Sequence, residues 1–438
     1  FTSLNEVKMK NRLFKTFIAV ALVLIVCLFA GCTSSYDWFV KTIEKYYYYP
    51  VDASAFDEND LKGNANKFLD RYSAYYTKEE YAAKLKSNAG SKSGLGISYS
   101  YVPDRGVYIS SVSGNSPAYI CGLRAGEWLK SGSLQGGEEA DFASAADFQN
   151  LINSASDGVK LNLTSTDGTV YTAAKSQYTA SYTYMAMKNT SWVFKDSASG
   201  GLAAYEEFTE AIDYLPEDTA YIKISQFYGT ASKEFDILIE KFNASGCKSL
   251  ILDLRSNGGG YVSLMQDIAY SFSDGTNDLA MLARDKNGRE EKFKISKVRS
   301  NAHKVSRDVN VYVLANSGTA SASEALMGAM ISYGALKWEN VFLSQYGEDY
   351  MDWLEQSGQE LKTSRTYGKG IMQSSFENGM TGEVLKLTTA QIYWPDKTTC
   401  IHDKGLTVGE GCTPVYTEWQ HTKSDGELKA AVDIIKSR

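Results

Sequence analysis

Histidine is scarce in this chain. Its 438 residues hold three, His303, His402 and His421, and each stands in a polar segment with no nucleophile-type residue beside it. Each therefore reads as a surface residue, and a serine–histidine arrangement finds no base here. Zinc hydrolysis is excluded too, because no HExxH occurs and no cysteine or histidine spacing fits a metal site. No cofactor is expected. Long basic runs are absent, and 45 Lys and Arg against 52 Asp and Glu leave a net charge of −7, so nucleic acid is not an expected partner. Proline occurs only six times. What is present is a globular balance, 43% apolar and 22% charged, in a chain long enough for two or three cores. Tyrosine, at 30 residues, suits polar, protein-like ligands.

The N-terminal stretch 9–35 carries Lys10, Arg12 and Lys15, an apolar run from Phe17 to Ala30, and then Gly31-Cys32. A basic start, a short apolar run and small residues before a cut describe an export signal. The run falls short of the ~20 residues of a comfortable membrane span. The small pair before Cys32 resembles a bacterial lipobox, in which that cysteine is lipidated and becomes the mature N-terminus. A plain signal anchor with Cys32 incidental is the alternative. The expectation is a lipoprotein of the cell envelope, held to the membrane and facing the periplasm or the cell surface, with residues 1–35 outside the fold. Cys121 and Cys247 read as buried free thiols, and Cys400 and Cys412 bracket a loop that a disulfide suits in an exported protein.

Residues 36–90 read as three helical segments, the last opened by a Thr77-x-x-Glu80 capping box, and 88–94 reads as a flexible hinge. From Gly94 the pattern changes to short strands and turns through 185. Within it "SPAYICGLRAGEWL" resembles the helix and glycine turn of a PDZ domain. Gly94, Leu95 and Gly96 resemble the loop whose backbone N–H groups grip a peptide's terminal carboxylate beside an open strand edge. A small β-domain without a ligand remains the alternative. Beyond 200, strands such as "TAYIKISQF" and "KSLILDL" alternate with amphipathic helices, and a hairpin turns at Asn287-Gly288. The fold class is α/β, more fully mixed α+β: a helical N-terminal region, a β-rich PDZ-like domain, and a βαβ core over 200–438 with a mixed sheet.

Three stretches carry chemistry. "TASASEAL" (319–326) follows a strand and opens a helix. Ser321-x-x-Glu324 fits a capping box, and the same strand–turn–helix is a platform for an activated serine whose oxyanion meets free helix N–H groups. The stretch admits both readings. A lysine can replace histidine as base if desolvation and local field lower its pKa from ~10.4 to about 7–8. Lys369 is the one lysine with glycine on both sides, which lets another backbone close over the amine; an exposed lysine in a glycine turn is the plain alternative. A strand after it would set Lys369, Ile371 and Gln373 on one face, with Gln373 orienting the amine. "DLRSNGGG" (253–260) ends a buried strand in glycines that can aim an N–H at an oxyanion.

Taken in order, "LDRYSAYYTKEEY", the PDZ-like segment, "DLRSNGGG", "GTASASEAL", "YGKGIMQ" and "LTTAQIYWPDKTTCIHDKGLTV" resemble the C-terminal processing peptidases, which use a serine/lysine dyad. The resemblance implies Ser321 as nucleophile rather than Ser317 or Ser323, Lys369 as general base and Gln373 as its orienting partner. It also implies an oxyanion hole from the N–H groups of Ala322 and of a glycine among 258–260, of which Gly259 is favoured. The implied partners are polypeptides with exposed apolar C-termini. Two departures stand out: residues 336–365 are a long insertion that reads as an amphipathic helix through Trp338, Phe342, Trp353 and Leu354, and Gly258 replaces the family's proline. Two rival functions remain, a peptide-binding scaffold lipoprotein of the same fold without turnover, and a carbohydrate-active surface protein suggested only by the aromatic content.

Overall fold

The computed structural model describes residues 34–195, 202–207, 210–295, 299–356, 363–417 and 425–438. The export signal, Cys32 and His421 lie outside the described residues. No helix among the described residues is long and apolar enough to cross a membrane. The chain divides into two compact units. One gathers the described residues up to 86 with 281–293 and 370–402, and the other gathers 87–280, 294–369 and 403–438.

The first unit packs helix Ser35–Tyr46 through Trp38, Phe39 and Ile43 onto Leu385, Leu387 and Phe376. Leu385 and Leu387 belong to the ten-residue strand Val384–Tyr393, and Phe376 to its antiparallel neighbour Ile371–Glu377. The Thr77–Glu80 capping box forms as expected, Glu80 N–H donating to Thr77 Oγ1 and Thr77 N–H to Glu80 Oε2. Helix does not continue through 69–76, however. Asp70 Oδ1 accepts the N–H groups of Tyr72 and Ser73, which turns the chain, and Ala74–Tyr76 becomes a strand paired with 384–386.

The second unit is built on an eight-stranded sheet. Five of its strands are parallel, in the order Thr219–Ile224, Ser249–Asp253, Asn310–Ala315, Val341–Tyr346 and Thr413–Thr417. Alternation gives the sheet two buried faces. Tyr221, Ile251, Leu314 and Phe342 meet the C-terminal helix Gly426–Ser437 through Leu428, Ala431 and Val432. Ile222, Leu250, Leu252, Val313 and Leu343 on the other face are equally closed off. Antiparallel strands at 183–186, 191–195 and 203–207 extend the sheet, so the core sheet begins before residue 200.

The stretch expected as a helical insertion is only partly helical. Val341–Tyr346 is a parallel strand, last but one in the sheet, with Phe342 and Leu343 fully buried; among the described residues Glu348–Gln356 is α-helical and Trp338–Asn340 a single 3-10 turn. Apolar residues at 338 and 342 mimic a helical spacing, but Trp338 lies in the 3-10 turn ahead of the strand and Phe342 within the strand. The hinge expected at 88–94 is likewise ordered: Ser91–Gly94 pairs with Ser176–Thr179, a partner some eighty residues away that composition cannot reveal. Between these two strands lies a six-stranded module with its own core of Leu95, Val107, Ile109, Leu123, Leu129, Phe148 and Leu161, covered by helices Pro117–Ile120 and Ala145–Ser154.

Cys400 and Cys412 are not bonded. Cys412 is buried at the head of strand Thr413–Thr417, where burial pushes its thiol up to about 12, the range of an inert core cysteine. Cys121 and Cys247 are free, as expected. The two described histidines are half-buried and partnered rather than solvent-facing. His303 Nε2 lies 3.0 Å from Glu240, and His402 Nε2 lies 3.3 Å from the Tyr49 hydroxyl.

Candidate active site

Strands Ser249–Asp253 and Asn310–Ala315 are parallel neighbours, and the loops leaving their carboxyl ends meet, the usual place for a site in a parallel sheet. After Ala315 the turn is fixed by side chains. Asn316 Oδ1 accepts the N–H groups of Ser256 and Gly318, while Thr319 Oγ1 donates to Leu254 O and accepts from Asn316 N–H. Ser321 then takes φ +58° and ψ −115° before helix Ala322–Ser332 begins. A non-glycine residue there stores ~1–3 kcal/mol of strain, and it persists only where its surroundings over-determine it. The sharp turn holds Ser321 at a half-buried position ahead of a helix whose first N–H groups lack intrahelical partners.

The glycine run is clamped against this turn by Asn257, which is fully buried. Its Nδ2 donates to Ile224 O, and its backbone carbonyl accepts both Ala320 N–H and the Ser323 hydroxyl. Gly259 sits so close that a Cβ on it would lie 2.8 Å from Ser321 Cβ and 3.0 Å from Ala322 N. The sequence pointed to the Gly259 N–H as an oxyanion donor, but this N–H donates to Asn257 Oδ1 at 2.9 Å. Gly259 O accepts Phe227 N–H. In a trans peptide the following N–H points the opposite way, so Gly260 directs its N–H away from Phe227.

Glu324 was legible only as a cap, and it does more. Its carboxylate is fully buried and receives four donors. Oε1 takes the Thr366 hydroxyl at 2.6 Å and Gly368 N–H at 2.8 Å; Oε2 takes Ser321 N–H at 2.8 Å and Lys369 N–H at 2.9 Å. The backbones of Ser321 and Lys369 thus hang on one oxygen atom, and their nitrogens can be no farther apart than those two bonds laid end to end. Burial pushes the Glu324 carboxyl above its usual range, and the four hydrogen bonds pull it back. A glutamate three residues into a helix always reads as a cap from sequence, and its bonds to 366–369 carry no sequence signal. Lys369 itself is half-buried. The expected close approach occurs beside it: at Gly368 a Cβ would lie 2.8 Å from Gly405 N.

Gln373 belongs to the other unit. It lies in strand Ile371–Glu377 just where the register slips between Met372 and Gln373, and its Nε2 donates to the Thr388 hydroxyl.

Asp253 and Arg255 build a buried ionic cluster. Arg255 donates to Asp253, to Asp425 at 2.5 Å and to Glu427 at 2.8 Å, and the Tyr221 hydroxyl donates to Asp253. Burial alone would raise the Asp253 carboxyl, but the charges of Arg255 and Lys223 and these hydrogen bonds outweigh it and hold it well below the carboxylate range. The cluster ties the glycine run's root to the cap of the C-terminal helix. Asp425 and Glu427 are 170 residues or more from Arg255 in sequence, so the pairing was not legible there.

In the module, Gly94 and Gly96 have φ +113° and +77°, a curl only glycine enters freely. Leu95 O accepts Ala118 N–H, and strand Ile97–Val102 follows at the open edge of the module's sheet. Tyr99 and Tyr101 reach from this strand to Gln149 Oε1 and Ala143 O, on and just before helix Ala145–Ser154. An edge strand beside a helix, headed by a glycine curl, leaves backbone groups able to pair with an extended peptide.

Known proteins are similar to this chain. Residues 218–337 match the family model "Peptidase family S41", a span that includes the glycine run and Ser321 and stops short of Lys369. A protein of Staphylococcus haemolyticus named "Probable CtpA-like serine protease" is 25% identical over 371 residues, covering 84% of this chain and 62% of that protein. One of the same name from Staphylococcus saprophyticus is 32% identical over 192 residues, covering 43% of this chain and 33% of its own length. The chain thus spans at most about three-fifths of these two curated relatives. A solved structure assigned to the S41 proteases of Bacteroides fragilis shares the fold, with a TM-score of 0.57 at 15% identity, covering 91% of this chain and 97% of that one. The strained serine turn and the glycine run against it lie within the residues that match the Peptidase family S41 model, and the chain that carries them is similar to the CtpA-like serine proteases.

Proposed function

We propose that this chain is a serine endopeptidase of the cell envelope that cleaves polypeptides near their C-termini. Ser321 Oγ attacks the scissile carbonyl, forming the tetrahedral adduct. The Lys369 amine takes the serine proton and passes it to the leaving amine, after which water clears the acyl-enzyme. The oxyanion is received by Ala322 N–H and an amide of the glycine run, with Gly260 taking the part assigned to Gly259 while Asn257 holds the Gly259 N–H. Gln373 orients the lysine, as the family resemblance implies. The module is PDZ-like and captures an apolar C-terminus at Gly94, Leu95 and Gly96, with the tail added along strand Ile97–Val102. Cys32 carries a lipid that holds the enzyme to the membrane.

The observation that supports this reading best is the strained Ser321 turn sharing one Glu324 oxygen with Lys369. The test pairs a serine-directed fluorophosphonate with a tail-bearing protein substrate. Wild type should label and cleave, whereas Ser321→Ala and Lys369→Ala should do neither. Cleavage retained by either variant would remove the dyad from the mechanism.

A further inference from the structure

The module joins the rest of its unit through two chain crossings, strands Ser91–Gly94 and Ser176–Thr179, which pair into a short neck. Just past the neck the chain is held by a carboxylate that the proposed chemistry does not use. Glu234, in the first turn of helix Ala231–Ser245, is 1% exposed. Its Oε2 accepts Tyr182 N–H and Thr183 N–H, both at 2.9 Å, the Thr183 hydroxyl at 3.0 Å and the Ser181 hydroxyl at 3.2 Å. Its Oε1 accepts the Thr230 hydroxyl at 2.7 Å. A buried ion of this kind adds little net stability over an apolar side chain of the same size, but its removal leaves several donors stranded and one geometry unenforced.

The same place is locked from a second side. Gly229 N–H donates to Asn88 O at 2.9 Å, and a Cβ on Gly229 would lie 2.8 Å from the Tyr182 ring. Asn88 Nδ2 in turn donates to the Tyr261 hydroxyl. Phe227, two residues before Gly229, donates its N–H to Gly259 O and accepts Tyr261 N–H. Residues 227–229 therefore touch the glycine run at one end and the root of the neck at the other, with the Tyr228 ring edge-on to both Tyr261 and Tyr182.

We infer that Glu234 is a positioning residue: it pins the neck so that a tail held on the module's open strand edge is presented to Ser321. The inference rests on the tail-capture reading proposed above. Glu234 touches neither substrate nor reacting atoms, and its effect is on where the module points.

The test is Glu234→Gln in the full chain, read in two ways. Amide hydrogen exchange is followed at 91–94 and 176–179, whose N–H groups do not bond Glu234; about tenfold faster exchange is expected, and unchanged exchange overturns the pin. Cleavage is then compared between a tail-bearing polypeptide and a short peptide without a tail. Turnover of the tailed substrate should fall about tenfold with tail affinity unchanged, while the short peptide is cleaved as by wild type. A parallel loss on both substrates, or on neither, overturns the positioning role. Thr183→Val removes one donor and leaves the carboxylate in place, so it should move both readouts the same way by a smaller factor if Glu234→Gln does not fold. A wild type that cleaves neither substrate would count against the peptidase reading, and the exchange measurement would still decide the pin.

Discussion

Replacing Glu324 by Gln separates a cap from an organiser of the site. The carboxylate accepts four donors, and glutamine offers one oxygen and an NH2 group. With the amide oxygen at the Oε2 position, the bonds from Ser321 and Lys369 survive. The NH2 then faces Gly368 N–H, which cannot accept, and the Thr366 hydroxyl oxygen, which already takes Leu406 N–H at 2.7 Å. The opposite orientation surrenders both Ser321 and Lys369, so the first prevails. It forfeits the two bonds that Gly368 N–H and the Thr366 hydroxyl donated to a charged acceptor, each worth ~1.5–3 kcal/mol. Glu324→Gln should therefore fold, be less stable by that order, and keep its two anchors. Glu324→Ala loses all four bonds, freeing Ser321 and Lys369 to drift, and a misplacement of about 1 Å costs on the order of a hundredfold in rate. The rate of fluorophosphonate labelling at Ser321 reads this directly, with folding checked by circular dichroism and thermal melting. The expected order is wild type, then Glu324→Gln about tenfold slower, then Glu324→Ala slower by another factor of about ten. A folded Glu324→Ala that labels at the wild-type rate would refute the argument and return Glu324 to an ordinary helix cap.

Three adjacent glycines should respond differently to alanine. Gly258 is exposed, has open space for a Cβ and avoids the left-handed region, so Gly258→Ala should be neutral or stabilise by about 0.4–1 kcal/mol. Gly259→Ala and Gly260→Ala, at φ +97° and +149°, drive a Cβ to 2.8 Å from Ser321 Cβ and 2.3 Å from Phe227 O and should abolish cleavage; equal activity in all three would contradict the geometry. Gly96→Ala places a Cβ 2.2 Å from Ser116 Cβ and should abolish tail-peptide binding, measured by calorimetry, while leaving cleavage of a short tail-less peptide intact. The Arg255 cluster sets an acid limit. Burial opposes ionisation of Asp425, but Arg255 wins and lowers its carboxyl below the usual 3.8, so its stabilisation is present above 3.8 and is lost as pH falls through the lowered value. The urea midpoint of wild type should exceed that of Asp425→Asn at pH 6, and the gap should close below pH 3.8; a gap constant with pH would place the stabilisation elsewhere.

Local patterning carried most of the fold. The strand "KSLILDL", the helix "SKEFDILIEKFNAS", the Asn287-Gly288 hairpin and the Thr77–Glu80 cap all stand where their own side chains demand, because each is decided within a few residues. The failures share one cause: the deciding partner is remote. Val341–Tyr346 looks helical until its neighbours at 313–315 and 413–417 pair along both its edges, and the stretch 88–94 looks loose until 176–179 pairs with 91–94. The site divides the same way. Ser321, Lys369 and the glycine run stand out in the sequence because each has rare local company, a small-residue turn or flanking glycines. The groups that hold them are glutamate, asparagine and threonine in unremarkable settings, and nothing in Glu324, Asn257 or Thr366 announces a bond across the fold. The physical reason is that a buried carboxylate or amide is defined by the donors around it, and here those donors come from the turn at Ser321, from 366–369 and from the glycine run. Backbone N–H groups supply most of them, so substitution at the donating residues leaves the bonds largely intact, whereas substitution at the single acceptor removes them all. The anchoring of these two turns is therefore concentrated in one buried acceptor, and Glu324 is where a single atom's change should reach Ser321 and Lys369 together.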